Sequence, residues 1–315
     1  MRTWRLLALV LTAASGACAQ PPDASSDGAR PPDRTIALTV DDLPVVRGRD
    51  LAHRQRMTRD LVRHITTAGV PAVGFVNEGK LDGEREAQID LLRQWVEAGL
   101  DLGNHTYGHP SLFDTPLATY QDEVRRGDVV TNRLLAARGD SVRYFRHPYL
   151  NVGPDLETRR AFEDWLSAYG LAIAPVTHDN TEWIYAFAYD RARDDAVLQA
   201  RIADAYLAYM DTTMAYYETL AQQVFGREIA HVLLIHANAL NADHLDRLIQ
   251  VFRQRGYRFV TLDEALADPA YASEDAHAGR AGISWLQRWA IHREVSFAPE
   301  PVTDSWVEAL TNRDR

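Results

Sequence analysis

The chain has 315 residues, 46% hydrophobic and 25% charged, with a formal net charge of −10. That composition excludes disordered, collagen-like and disulfide-scaffold proteins, and it excludes polyanion binding through a generally basic surface, so no nucleic-acid partner is expected. At this length the chain can bury one large α/β core or two medium ones.

Arg2 and Arg5, the apolar run Leu6–Ala14 and the small residues Ala17-Cys18-Ala19 predict a signal peptide over residues 1–19. The run is far short of the roughly 20 residues that span a bilayer, and no later stretch is long enough for a transmembrane segment. The expected location is exported, periplasmic or secreted. The rival reading, a lipoprotein acylated at Cys18, meets a poor lipobox in Ser15-Gly16-Ala17-Cys18. Cleavage after Ala19 would remove the only cysteine, leaving no disulfide to form. Residues 20–33, with four prolines, read as a flexible tether. The remainder, 34–315, reads as a single domain.

From residue 35 short apolar runs alternate with amphipathic stretches. Strands are predicted at Thr35–Val40, Pro71–Val76, Leu100–Asn104, Val142–Arg146, Leu171–Thr177, Ile229–His236 and Tyr257–Leu262. Helices are predicted at Leu51–Ala68, Glu84–Ala98, Leu117–Arg138, Asp155–Tyr169 and Ala242–Arg255, several stopped by glycine. Seven strand-then-helix units imply a parallel sheet, and an open sheet or a closed barrel would both satisfy the pattern. Asp41, Asp42, His105, Arg146, Asp179 and His236 all fall at or just past strand C-terminal ends. A barrel gathers such ends at one mouth, so a barrel is expected. The long gap at residues 189–227 is helical in pattern and rich in tyrosine, and reads as an insertion before the sixth strand whose aromatics pack on the barrel. Such an extra segment could also rise as a rim over the mouth, offering Tyr216 or Tyr217 as a stacking platform for a ligand. The tail, 268–315, carries Trp285, Trp289 and Trp306 and is expected to wrap the barrel. Of 34 basic residues all but Lys80 are arginine, a skew read as coding bias rather than function.

Two neighbouring carboxylates at a strand end, Asp41 and Asp42, can divide two jobs, one ligating a metal and one taking a proton. His105 and His109, spaced i and i+4, would share one face of a helical turn, the spacing of a two-histidine metal site. Two histidines and one carboxylate leave open positions for water and substrate on Zn²⁺ or a similar ion.

Five motifs, in order, resemble those of the polysaccharide deacetylases, the NodB-like carbohydrate esterases. Thr39-Val-Asp41-Asp42 resembles their first motif, and His105-Thr-Tyr-Gly-His109 resembles H-[S/T]-x-x-H. Arg146-His-Pro-Tyr149 resembles R-x-P-Y, Asp179-Asn-Thr-Glu182-Trp183 resembles D-x-x-D-W, and Leu234-Ile-His236 resembles L-x-H. The resemblance implies a distorted (β/α)7 barrel and a metal-dependent hydrolase that removes N-acetyl groups from an amino-sugar polysaccharide or oligosaccharide. It implies Asp42, His105 and His109 as ligands of a divalent metal, Zn²⁺ first among Co²⁺, Mn²⁺ and Ni²⁺. Asp41 would be the base, His236 the acid, Arg146 would orient Asp41 and Asp179 would orient His236. The Tyr149 backbone N–H would help hold the oxyanion, and Trp183 and Leu234 would line the acetyl slot. Leu43-Pro44 follow the first motif where glycine is usual, His147 and Leu150 replace commoner neighbours, and Glu182 stands where aspartate is usual. These departures bear on the substrate more than on the reaction. An O-acetyl esterase uses the same apparatus. A non-catalytic glycan-binding barrel would need neither base, ligands nor acid.

Overall fold

Residues 34–311 are described in the computed structural model; the expectations for the signal peptide, the tether and Cys18 lie outside the described residues. All seven apolar runs form strands: β1 (Thr35–Leu43), β2 (Ala72–Val76), β3 (Asp101–Asn104), β4 (Tyr144–Phe145), β5 (Ala172–Ile173), β6 (His231–His236) and β7 (Arg258–Val260). Every named pairing is parallel, and the spatial order is β5-β4-β3-β2-β1-β6. β6 lies along one edge of β1. The other edge is shared, with β7 on Thr35–Ala37 and β2 from Leu38 onward. Beyond β5 the chain comes back to β6 through a single parallel bridge, His178 to Leu233. The sheet is therefore a distorted barrel, closed at one seam by little more than the Thr177 and His178 backbone bonds to Val232 and Leu234.

The strands run apolar because both faces are covered. Ile36, Leu38, Val40, Val76, Leu102 and Leu233 are all buried, each worth about 1.5–3 kcal/mol on burial. The outer layer consists of α1 (Leu51–Thr67), α2 (Arg85–Glu97), α3 (Leu117–Arg126), α4 (Val129–Ala136), α5 (Leu156–Tyr169), α6 (Glu182–Arg191), α7 (Ala196–Phe225) and α8 (Ala239–Gln254). Caps fix where several begin and end. Asp50 accepts from the His53 N–H at 2.7 Å, and Asp155 from Thr158 at 2.7 Å. Gly170 closes α5 in the left-handed conformation, φ 97°.

Two expectations need correction. The continuous helix over Leu117–Arg138 is broken into α3 and α4 at Gly127-Asp128. The break has a polar cause: the Glu123 carbonyl accepts from Tyr107 N–H at 2.9 Å, and a second helix start is satisfied by the buried Glu78 carboxylate. Glu78 accepts from the backbone N–H groups of Val130 at 3.0 Å and Thr131 at 2.7 Å. The insertion read over residues 189–227 is helical and holds α7, and the Glu182-Trp183 pair opens the shorter α6 just before it. Tyr206, Tyr209 and Tyr217 on α7 are buried, which makes them core residues and removes Tyr217 as a stacking platform.

The tail continues through α9 (Leu262–Leu266), α10 (Trp285–His292) and α11 (Ser305–Thr311). Trp289 is buried, and the Trp285 N–H donates to the Val176 carbonyl at 2.7 Å.

Candidate active site at the barrel mouth

β1 delivers two adjacent carboxylates to one place because it does not stay regular. Its register with β2 shifts between Val40 and Leu43, and Asp42 sits in the left-handed region at φ 72°. A regular strand would send Asp41 and Asp42 to opposite faces; the bulge re-aims the second. Asp41 pairs in register with His236 on β6.

The two histidines meet by a different route from the helical turn read in the sequence. Their segment is a tight turn with Thr106 at φ 65° and His109 at φ 61°. Asn104 Oδ1 accepts from Thr106 N–H at 2.8 Å, and Thr106 Oγ1 accepts from His109 N–H at 3.0 Å. The rings lie 4.8 Å apart, edge to face. Of the six non-glycine residues with left-handed φ among the described residues, five lie at or just past the C-terminal ends of β1, β3 and β4: Asp42, Thr106, His109, Tyr149 and Leu150. Such backbone costs on the order of 1–3 kcal/mol per residue and clusters where a site demands it.

One donor atom each from Asp42, His105 and His109 can be chosen so that all lie within 4.8 Å of one another. The donor set fits a divalent ion of the zinc type. His105 Nδ1 lies 2.8 Å from the Arg146 carbonyl, which fixes the proton there and leaves Nε2 with the lone pair that could hold an ion. Burial holds His105 well below the usual histidine range, and its neighbour His109 pushes the same way, so the ring is neutral. Asp42 is held below the usual carboxylate range: burial opposes this, but nearby positive charge, the Lys80 ammonium foremost, outweighs it.

Asp41 behaves oppositely. Burial pushes it up to about 6, with the Arg146 guanidinium pulling back. Arg146, wholly buried, places Nη1 3.6 Å from Asp41 Oδ2 and donates from Nη2 to Thr39 Oγ1 at 2.9 Å. Asp41 Oδ1 is buried with no hydrogen-bond partner in the protein, an acceptor left unsatisfied beside Asp42.

His236 Nδ1 lies 2.9 Å from Glu182 Oε2. Burial lowers His236, but Glu182 more than compensates and lifts it to about 9. The residue read from the sequence as its orienter, Asp179, is joined to His236 by no hydrogen bond or ion pair among the described residues. Its carboxylate instead accepts from Asn180 N–H at 2.8 Å, and burial with nearby Glu300 lifts it to about 7. In sequence Glu182 stands as the glutamate at the second acidic position of the motif that resembles D-x-x-D-W, with no role assigned to it. Lys80 was missed altogether: its Nζ lies 2.9 Å from Asp42 Oδ1.

Tyr149 is exposed, with its ring 4.5 Å from that of His109. Trp183 is exposed at the start of α6, and Leu234 is buried in β6. From Asp42 and His236 a groove of about 670 Å³ runs past Trp183 and Phe187 on α6 to Glu308 on α11. His147, in place of the commoner proline, is buried, its Nδ1 3.2 Å from the Tyr120 hydroxyl.

Residues 28–163 match the polysaccharide deacetylase family model. A peptidoglycan-N-acetylglucosamine deacetylase of Bacillus cereus is 24% identical over 233 residues, covering 72% of this chain; the chain spans 66% of that relative's length. The fold is similar to that of a chitin deacetylase from Colletotrichum lindemuthianum, at 22% identity and TM-score 0.50 over 78% of this chain and 92% of that one. It is equally similar, at 17% identity and TM-score 0.50, to a CE4 family pseudoenzyme from Bacillus anthracis, over 75% and 66% of the two chains. One fold thus carries an enzyme and a pseudoenzyme, so activity here must be argued from side chains.

Proposed function

We propose that this chain, whose residues 28–163 match the polysaccharide deacetylase family model, is a member of that family and an exported, metal-dependent hydrolase that removes N-acetyl groups from an amino-sugar polysaccharide or oligosaccharide. The observation that carries the reading is the grouping at one mouth of the Asp42, His105 and His109 donors with an upshifted Asp41 and an upshifted His236. A pair of titratable groups tuned in this way marks a base and an acid.

Asp42, His105 Nε2 and His109 would hold the divalent ion, Zn²⁺ first. When bound, such an ion supplies Lewis acidity that brings a water's pKa near 7. Asp41 takes the proton of the attacking water at its free Oδ1, while Arg146 holds the other oxygen and keeps the carboxylate ionised. His236, protonated at neutral pH and turned by Glu182, presents Nε2 to the leaving amine and donates the proton it needs. The Tyr149 peptide would face the oxyanion. Trp183 offers an exposed indole at the entrance, and Leu234 backs the slot for the acetyl methyl. Export rests on the sequence of residues 1–19; no described helix is long and apolar enough to cross a membrane.

The test is acetate release from chitin oligomers, peptidoglycan and acetylxylan, before and after dialysis against a chelator. Release from the first two that is lost on chelation and restored by one divalent ion is expected. Release from acetylxylan alone would make the protein an O-acetyl esterase, and no release would leave a glycan-binding barrel.

A further inference from the structure

Lys80 is the single lysine among 34 basic residues, and it stands on the proposed metal ligand Asp42. Its Nζ lies 2.9 Å from Asp42 Oδ1 and donates to the Asp42 carbonyl at 3.2 Å. His109 Nε2 approaches the same Oδ1, at 3.7 Å. The ammonium and the metal site therefore contend for one oxygen.

The placement of Lys80 is fixed by its neighbours. Glu78, two residues earlier, is buried and bonded to the start of α4. The Gly79 N–H donates to the Tyr107 carbonyl at 2.9 Å, and a Cβ at Gly79 would lie 2.6 Å from that oxygen, so only glycine allows the approach. The Lys80 N–H donates to Asn77 O at 3.0 Å. The segment that carries the ammonium is thus tied to the turn that carries His105 and His109.

We propose that Lys80 is an internal competitor for Asp42 that weakens the site's hold on its divalent ion. This rests on the metal-site reading above. An ion bound to the Asp42 carboxylate would meet the ammonium a few ångströms away, in a partly buried place where water screens poorly. Without an ion, the same ammonium neutralises Asp42 and ties down its left-handed backbone. Lysine suits this role better than arginine: it is a compact charge on a flexible stem that can swing aside, whereas a guanidinium fork would claim both carboxylate oxygens.

The experiment is calorimetric titration of Zn²⁺ into the chelator-stripped full-length protein, with circular dichroism melts to show that each variant folds. Lys80→Met should bind on the order of 10–100-fold more tightly than wild type. Lys80→Arg, which keeps the charge, should bind no more tightly than wild type. Unchanged or weaker binding by Lys80→Met, or binding by Lys80→Arg as tight as by Lys80→Met, would overturn the inference while leaving the metal site in place. His109→Ala tests the site itself: binding equal to wild type would sink the metal-site reading, and the role of Lys80 with it.

Discussion

Glu182 Oε2 lies 2.9 Å from His236 Nδ1, and Glu182 is itself wholly buried. Its other oxygen accepts from the side-chain amides of Asn238 and Asn241, so the carboxylate is locked before it touches the imidazole. A buried anion at this distance favours the protonated ring, which is why His236 rises to about 9 although burial alone would lower it. An acid must be protonated to act, so the alkaline limb of the rate profile should fall near that value. Glu182→Gln removes the charge and keeps the shape, and the limb should move down toward the ordinary histidine value of about 6.5. A pH profile of acetate release reads this directly. An alkaline limb that stays put would take Glu182 out of the relationship.

The two adjacent aspartates should separate by phenotype. Asp41→Asn should keep the bound ion and lose on the order of 10²–10⁴ in rate, the usual contribution of a positioned acid–base group. Asp42→Asn should lose the ion as well, because it removes one of three donors. Metal content by elemental analysis, measured beside the rate, checks both. Reversed phenotypes would mean that the bulge in β1 turns the first carboxylate, not the second, toward the ion.

Much of this was legible in sequence because it follows from periodicity and local order. Seven apolar runs became seven strands, and the polar residues just past their ends fell at one mouth. What was not legible depends on departures from regularity. Alternation along β1 would place Asp42 on the far side of the strand, and only a bulge with φ 72° reverses that. The spacing of His105 and His109 suggested a helical turn, while Asn104 and Thr106 side chains build a non-helical one. The partner of His236 was assigned by motif position to Asp179; the extra methylene of Glu182, placed on the first turn of α6, reaches the ring instead. Lys80 carried no local signal, since its meaning lies in a contact 38 residues away.

Glu78 should prove structural rather than chemical. Its carboxylate satisfies the Val130 and Thr131 N–H groups and the Thr131 hydroxyl at 3.0, 2.7 and 2.9 Å. Glu78→Ala would leave these buried donors without partners, at a cost of about 1–3 kcal/mol. Glu78→Gln keeps one acceptor oxygen and should cost less. Chemical denaturation at neutral pH gives both values; equal stability of the alanine variant and wild type would show that α4 starts without this cap.

The last prediction concerns how the tail holds the Tyr149 loop. Tyr149 and Leu150 are consecutive non-glycine residues at φ 57° and 51°, a conformation the chain would leave if nothing held it. The tail supplies the restraint. Arg288, buried under Trp285, donates from Nη2 to the Leu150 carbonyl at 2.6 Å. Asn151 Nδ2 donates to the carbonyls of Gly279 and Arg280, each at 2.9 Å. Gly282 lies so close that a Cβ would fall 1.7 Å from the Tyr149 carbonyl oxygen. Gly282→Ala must therefore displace the Tyr149–Leu150 backbone or the tail. If the Tyr149 peptide faces the oxyanion, a shift of about 1 Å should cost on the order of 10²-fold in rate. The Asp42, His105 and His109 donors do not touch Gly282, so metal content should hold. Arg288→Met should act in the same direction, since it strips the bond to Leu150 while keeping an apolar stem in the site. Rate, ion content and melting temperature measured together decide the matter: full rate in Gly282→Ala would free the Tyr149 loop from dependence on the tail, and loss of the ion would show that the tail supports the whole mouth rather than one peptide.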